Sequence, residues 1–154
     1  MSRESFVSEF YQFAKGKLDG IGKQILVPDD EPQSDSTGVI LFNARQQGIW
    51  VTNINDTFLL RLWYKIAHDA VYQERNKIID KAQKTEEWKN LSRPKGKGPG
   101  GESTRNVVEW DLQNDIPRLT SWKDLIDNKE KIFNRILAFY RLLREVGIVF
   151  EAKE

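Results

Sequence analysis

The stretch 55–84 constrains the fold more than any other part of the chain. Asn55 or Asp56 has a side chain able to accept an orphan N–H of a first helical turn. Phe58, Leu59, Leu62, Trp63, Ile66, Ala67, Ala70 and Val71 follow, most of them at intervals of three or four. That spacing predicts one long helix with a wide apolar face. After Val71 the run Tyr72-Gln73-Glu74-Arg75-Asn76-Lys77 is polar, and only Ile78, Ile79 and Ala82 continue the stripe. The first half is therefore expected to be buried. The second half is expected to project as an arm.

A chain of 154 residues is long enough for a single domain over 1–154, burying roughly two thirds of its unfolded surface. No apolar run is long enough to span a membrane, and Met1-Ser2-Arg3-Glu4 carries no apolar signal core. The absence of cysteine removes disulfides and thiolate metal sites. A cytoplasmic protein with no membrane contact is the expectation. With a net charge of +1 the whole-molecule field favours no partner, so the distribution of charge decides.

Before the long stretch, Phe6, Val7, Phe10, Ala14 and Leu18 share one face of a helix expected over 2–18, capped by Ser2 or Ser5. Residues 28–38 hold two prolines and four carboxylates without an apolar side chain, which predicts an acidic loop. Val39-Ile40-Leu41-Phe42 and Ile49-Trp50-Val51-Thr52 predict a β-hairpin over 38–53. Further on, Arg93-Pro94-Lys95-Gly96-Lys97-Gly98-Pro99-Gly100-Gly101 predicts a flexible basic loop over 92–105. Val107-Val108-Glu109-Trp110 reads as a short strand and Asp115-Ile116-Pro117 as a turn. Ser121 with Asp124 starts a helix at 121–127, and the stripe Ile132, Phe133, Ile136, Leu137, Phe139, Tyr140, Leu143 predicts a longer one at 129–146, ended by Gly147. The architecture these elements predict is mainly α, a compact single-domain helical bundle with a small β-hairpin.

Chemistry is harder to assemble. His68 is the only histidine, and no cysteine or strained serine elbow stands ready to use it. Asp29, Asp30, Glu31 and Asp35 lack the spacing of an EF-hand loop. The glycines of 96–101 miss the phosphate-loop spacing and enclose a proline. Pro28-Asp29 with Glu87-Trp88-Lys89, or with Glu151-Ala152-Lys153, resembles the Pro-Asp…Glu-x-Lys signature of magnesium-dependent nucleases. That resemblance implies an Asp and a Glu holding Mg²⁺ and a Lys orienting water. The signature is short, and it ranks last among the readings. No catalytic residue, cofactor or metal is expected, and the chain is read as not an enzyme.

Cations offer more. Arg93, Lys95, Lys97 and Arg105 put four positive charges in the Gly/Pro stretch against one Glu102. Lys89 precedes it, and Arg135, Arg141 and Arg144 lie on the last helix. Trp88 and Trp110 flank the basic stretch and are candidate partner contacts. Flexible basic segments attract phosphate backbones without reading sequence, and nearby rings can stack on unpaired bases. The leading expectation is a small helical accessory subunit of a nucleoprotein complex. It would contact RNA or single-stranded DNA and neighbouring protein subunits, as the small helical subunits of RNA-guided CRISPR effector complexes do. The alternative is a protein–protein adaptor or inhibitor without nucleic-acid contact, using the acidic loop and the projecting arm.

Overall fold

The computed structural model describes residues 1–14, 17, 38–43, 47–65, 70–93, 97–98 and 101–148. Of these, 38–43, 47, 64–65, 70–74, 97–98 and 101–105 are given by backbone alone. In chain order they form α1 (Arg3–Ala14), β1 (Gly38–Asn43), β2 (Gln47–Ile54), β3 (Thr57–Lys65), α2 (Ala70–Gln83), β4 (Lys97–Gly98), β5 (Gly101–Asp111), α3 (Trp122–Asp127) and α4 (Lys129–Glu145). The strands make one antiparallel sheet in the order β1-β2-β3-β5-β4. The fold is α+β. The expected helical bundle is wrong, and with it goes the premise that likened the chain to helical CRISPR subunits.

The error lies in the stretch that constrained the fold most. Its first half is not a helix but β3, and α2 begins only at Ala70. Asn55 and Asp56, expected to cap a helix, both take positive φ, 52° and 63°. They make the two-residue turn that suits the twist of a β-hairpin, and Asn and Asp tolerate that conformation better than other residues with a Cβ. The pair Ile54–Thr57 closes the hairpin and Thr52–Leu59 extends it.

A sheet covered on both faces explains the misreading. Phe58, Leu60 and Leu62 point one way and are fully buried, in the same cluster as Ile49, Val51, Val108 and Trp110. Arg61 and Trp63 lie on the opposite face and are also buried. There Trp50 and Trp63 form a cluster of their own. Alternation vanishes when both faces are buried, and a continuous apolar run then fits a helix as well as a strand.

The helices cover the first face. Phe6 and Phe10 of α1 stack at 5.4 Å, and Trp122 of α3 lies 5.2 Å from Phe6 and 5.0 Å edge-on from Phe58. From α2, Ile78, Ile79 and Ala82 enter the same core, and α4 adds Ile132, Ile136, Phe139 and Leu143. Between Leu62 and Trp63 the register with β5 shifts by one residue at a bulge. At that level the carbonyls of Asn106 and Val107 accept from Nη2 (2.9 Å) and Nε (2.8 Å) of Arg75. One arginine thus ties α2 to the sheet.

The ends of the chain follow the sequence closely. Ser2 accepts the Ser5 N–H at 3.0 Å and caps α1. Ser121 accepts the Asp124 N–H at 3.2 Å, while the Asp124 carboxylate turns back to the N–H (3.0 Å) and hydroxyl (3.1 Å) of Thr120. Gly147, at φ +96°, ends α4, and the Ile148 N–H reaches back to the Leu143 carbonyl at 3.0 Å. The stretch 92–105 is only in part the flexible loop expected. Ser92 bridges Glu109, Lys97–Gly98 is β4, and β5 starts already at Gly101. The acidic stretch 28–37, His68, Lys95 and residues 151–153 lie outside the described residues.

Candidate functional site

The cations that the sequence grouped together separate into two sets. The first surrounds α4 and the turn 84–90. Trp88 and Trp110 pack edge to face at 5.0 Å and are 4% and 3% exposed, so both proposed contact rings are core residues. The Arg135 guanidinium lies over both rings, 4.6 Å from Trp88 and 4.5 Å from Trp110. Such stacking suits a planar, weakly hydrated cation.

Asp115 completes the arrangement. Arg135 donates to it from Nε (3.0 and 3.2 Å) and from Nη2 (2.7 Å), and the Trp110 indole N–H donates to Oδ2 at 2.8 Å. The 3₁₀ turn 112–114, capped by Asp111 on the Gln113 N–H at 2.8 Å, aims Asp115 inward toward α4. A half-buried carboxylate with three donors and a half-buried guanidinium with two rings satisfy nearly all of each other's requirements. Arg135 therefore stands as an internal strut, its Nε and Nη2 edge closed to a nucleic-acid backbone. The exception is Nη1, which is buried without a hydrogen bond and lies 3.6 Å from Oε1 of the largely exposed Glu87.

Other members of this set meet carboxylates at the surface. Lys89 pairs with Glu86 at 2.9 Å, and the contact holds the ammonium above and the carboxyl below their ordinary ranges. Lys81 meets Glu145 at 3.5 Å and Lys123 meets Asp127 at 2.7 Å. Both lysines are well exposed, so these pairs are screened and weak. Arg144 covers its own helix neighbour Tyr140, 5.9 Å from the ring centre. Arg141 is exposed and lines a cleft of about 370 Å³ with Lys81 and Glu145.

The second set lies at the β4 edge of the sheet. Cross-strand pairing puts Lys97 opposite Arg105, and Arg105 opposite Tyr64, and Tyr64 opposite Gln47. Arg93 is exposed where the chain leaves its bridge with Glu109, and it donates to the amide oxygen of Asn76 on α2. That partner is uncharged. The backbone register thus sets two basic residues in facing positions at this edge, and like charges opposite one another in a ladder are destabilising.

Sequence reasoning missed Asp115, read only as part of a turn, and the pair Arg61–Glu109, bonded at 2.9 Å on the buried outer face. Asn106, whose side chain accepts the Trp50 indole N–H at 2.9 Å, was missed as well. Arg61 alone carried a signal, being a charge inside an apolar run. Among the described residues no group of His, Cys, Asp and Glu side chains is placed to hold a metal ion. No described helix is long and apolar enough to cross a membrane. Glu87 and Lys89 lie in a turn after α2, not on a strand. Comparison with known proteins finds no matching family model, no matching curated protein and no matching solved structure.

Proposed function

We propose that this is a non-enzymatic accessory protein that contacts the backbone of RNA or single-stranded DNA through the β4–β5 edge of its sheet. Arg93, Lys97 and Arg105 form the contact, with Lys95 of the same segment as a fourth cation. One observation carries the reading: the register that brings Lys97 opposite Arg105. Two cations in facing positions cost stability on their own, and a phosphate between them offsets that cost while it releases counterions. Arg135, Lys89, Trp88 and Trp110 drop out of the interface because their partners lie within the molecule. Arg141 and Arg144, both exposed on α4, are a secondary surface at most.

The same charges have a simpler use, since lysine on an edge strand discourages pairing with another sheet. A salt titration separates the two. Replacing Arg93, Lys95, Lys97 and Arg105 with alanine should weaken binding of a labelled single-stranded oligonucleotide in fluorescence anisotropy. It should also flatten the log–log salt slope by about 0.7 for each phosphate contact removed. Unchanged affinity in the variant, joined to a new tendency to aggregate, assigns the cations to edge protection and overturns the proposal. Partner capture that survives high salt with the same variant would instead favour the protein-adaptor reading.

A further inference from the structure

A pocket of about 390 Å³ opens between the turn 84–90 and α4, over the Arg135–Asp115 pair. Every residue that lines it is described, and its polar groups fall into two classes. Asp115 has both oxygens engaged, and Asn114 donates to the Asp111 carbonyl at 2.8 Å while accepting from Asn90 at 3.1 Å. These groups are finished. Three donors are not. Nη1 of Arg135 is buried with no hydrogen bond, and neither Lys131 nor Asn134 has a hydrogen bond or ion pair to any described residue. A buried guanidinium nitrogen without an acceptor is costly, and native structures rarely leave one so.

The group facing Nη1 is the Glu87 carboxylate, 57% exposed and 3.6 Å away, within Coulombic reach but beyond a hydrogen bond. Asp115 holds the Nε and Nη2 side of the guanidinium fork, which leaves both Nη1 hydrogens directed elsewhere. Glu87 thus occupies the mouth of an acceptor site without completing it. Its side chain is free to swing into solvent at small cost.

We infer that this pocket is an oxyanion site, in which a carboxylate or phosphate group of a ligand displaces the Glu87 carboxylate from Nη1 of Arg135 and bonds also to Lys131. Asp115 and the two tryptophan rings fix the guanidinium before the ligand arrives, so little ordering is needed on binding. The site is separate from the β4 edge. Arg105 and Asp111 are six positions apart along β5, about 20 Å at the rise of a strand, so the two proposals fail or stand independently.

Titration of the ¹⁵N-labelled protein with succinate and, separately, with inorganic phosphate tests the site. The indole N–H resonance of Trp110 is the readout, since it reports on Asp115. Saturable movement is expected with at least one anion, and the tighter of the two identifies the ligand class. Glu87→Gln should tighten binding by roughly two- to fivefold and Lys131→Ala should weaken it by a similar factor, the scale of one partly exposed charge contact. Both residues are largely exposed, so neither change threatens the fold. No saturable shift with either anion, or equal affinity in Glu87→Gln and the unaltered protein, overturns the inference.

Discussion

The surroundings of Arg135 and the β4 edge both looked basic, yet the chain treats their charges in opposite ways. Around Arg135 most cations are met: a bidentate carboxylate and two rings for the arginine, glutamates for Lys89 and Lys81, with Lys131 the exception among the described residues. At the edge the register sets Lys97 opposite Arg105, and among the described residues the partner of Arg93 is an amide oxygen. Charge kept inside a fold is structural. Charge set against like charge at a rim is tolerated for another reason, and an anionic partner is the reason proposed above.

The contrast is sharpest where the interior pair is broken. Asp115→Ala leaves the Arg135 guanidinium between its rings without a counterion. It should lower stability by about 3 kcal/mol, the low end of the range for a buried pair because 16% of each side chain is exposed. A urea midpoint measures it, and a loss under 1 kcal/mol would reduce the strut to an ordinary surface contact. Trp110→Phe keeps a ring over Arg135 but removes the indole donor to Asp115. A loss of about 1 kcal/mol is expected, seen as a lower thermal midpoint.

A pH dependence belongs to the start of α3. The Thr120 N–H and hydroxyl donate to the Asp124 carboxylate and hold its carboxyl below the ordinary 3.8. The folded form is the weaker base. Its contribution is therefore full above the unfolded value and is lost as pH falls through the lower folded one. Below about pH 4 the unaltered protein should lose more stability than Asp124→Asn does over the same range. Parallel losses in the two proteins would remove the carboxylate from the account of acid sensitivity.

Legibility followed the same divide between local and distant causes. The C-terminal helices, the Ser2 and Ser121 caps and the Gly147 stop are decided within a turn or two of chain, and each was readable. The hairpin 38–53 was readable because β-branched residues cluster in it. The strand Thr57–Lys65 was not, although Asn55-Asp56 between two apolar runs is a turn signal and Arg61 interrupts any apolar helix face. Its second face is buried as well, and a run buried on both faces carries no period-2 signal. The site suffered likewise. Arg135 and Asp115 stand 20 positions apart, and nothing local in the sequence distinguishes a cation that will find a carboxylate from one that will not. Trp88 and Trp110, chosen as contact rings for flanking the basic stretch, proved to be the walls that hold Arg135.

One substitution at the edge separates its two properties in a single protein. Lys97→Glu puts opposite charges where like charges face each other. Stability should rise by a few tenths of a kcal/mol, the scale of a cross-strand ion pair. Affinity for single-stranded nucleic acid should fall, and the salt slope with it. The decisive measurement is anisotropy of a labelled oligonucleotide across a salt series, run on the unaltered protein and on Lys97→Glu. The account predicts salt-sensitive binding that the variant loses while gaining stability. Binding of equal strength and equal salt slope in both proteins would contradict it.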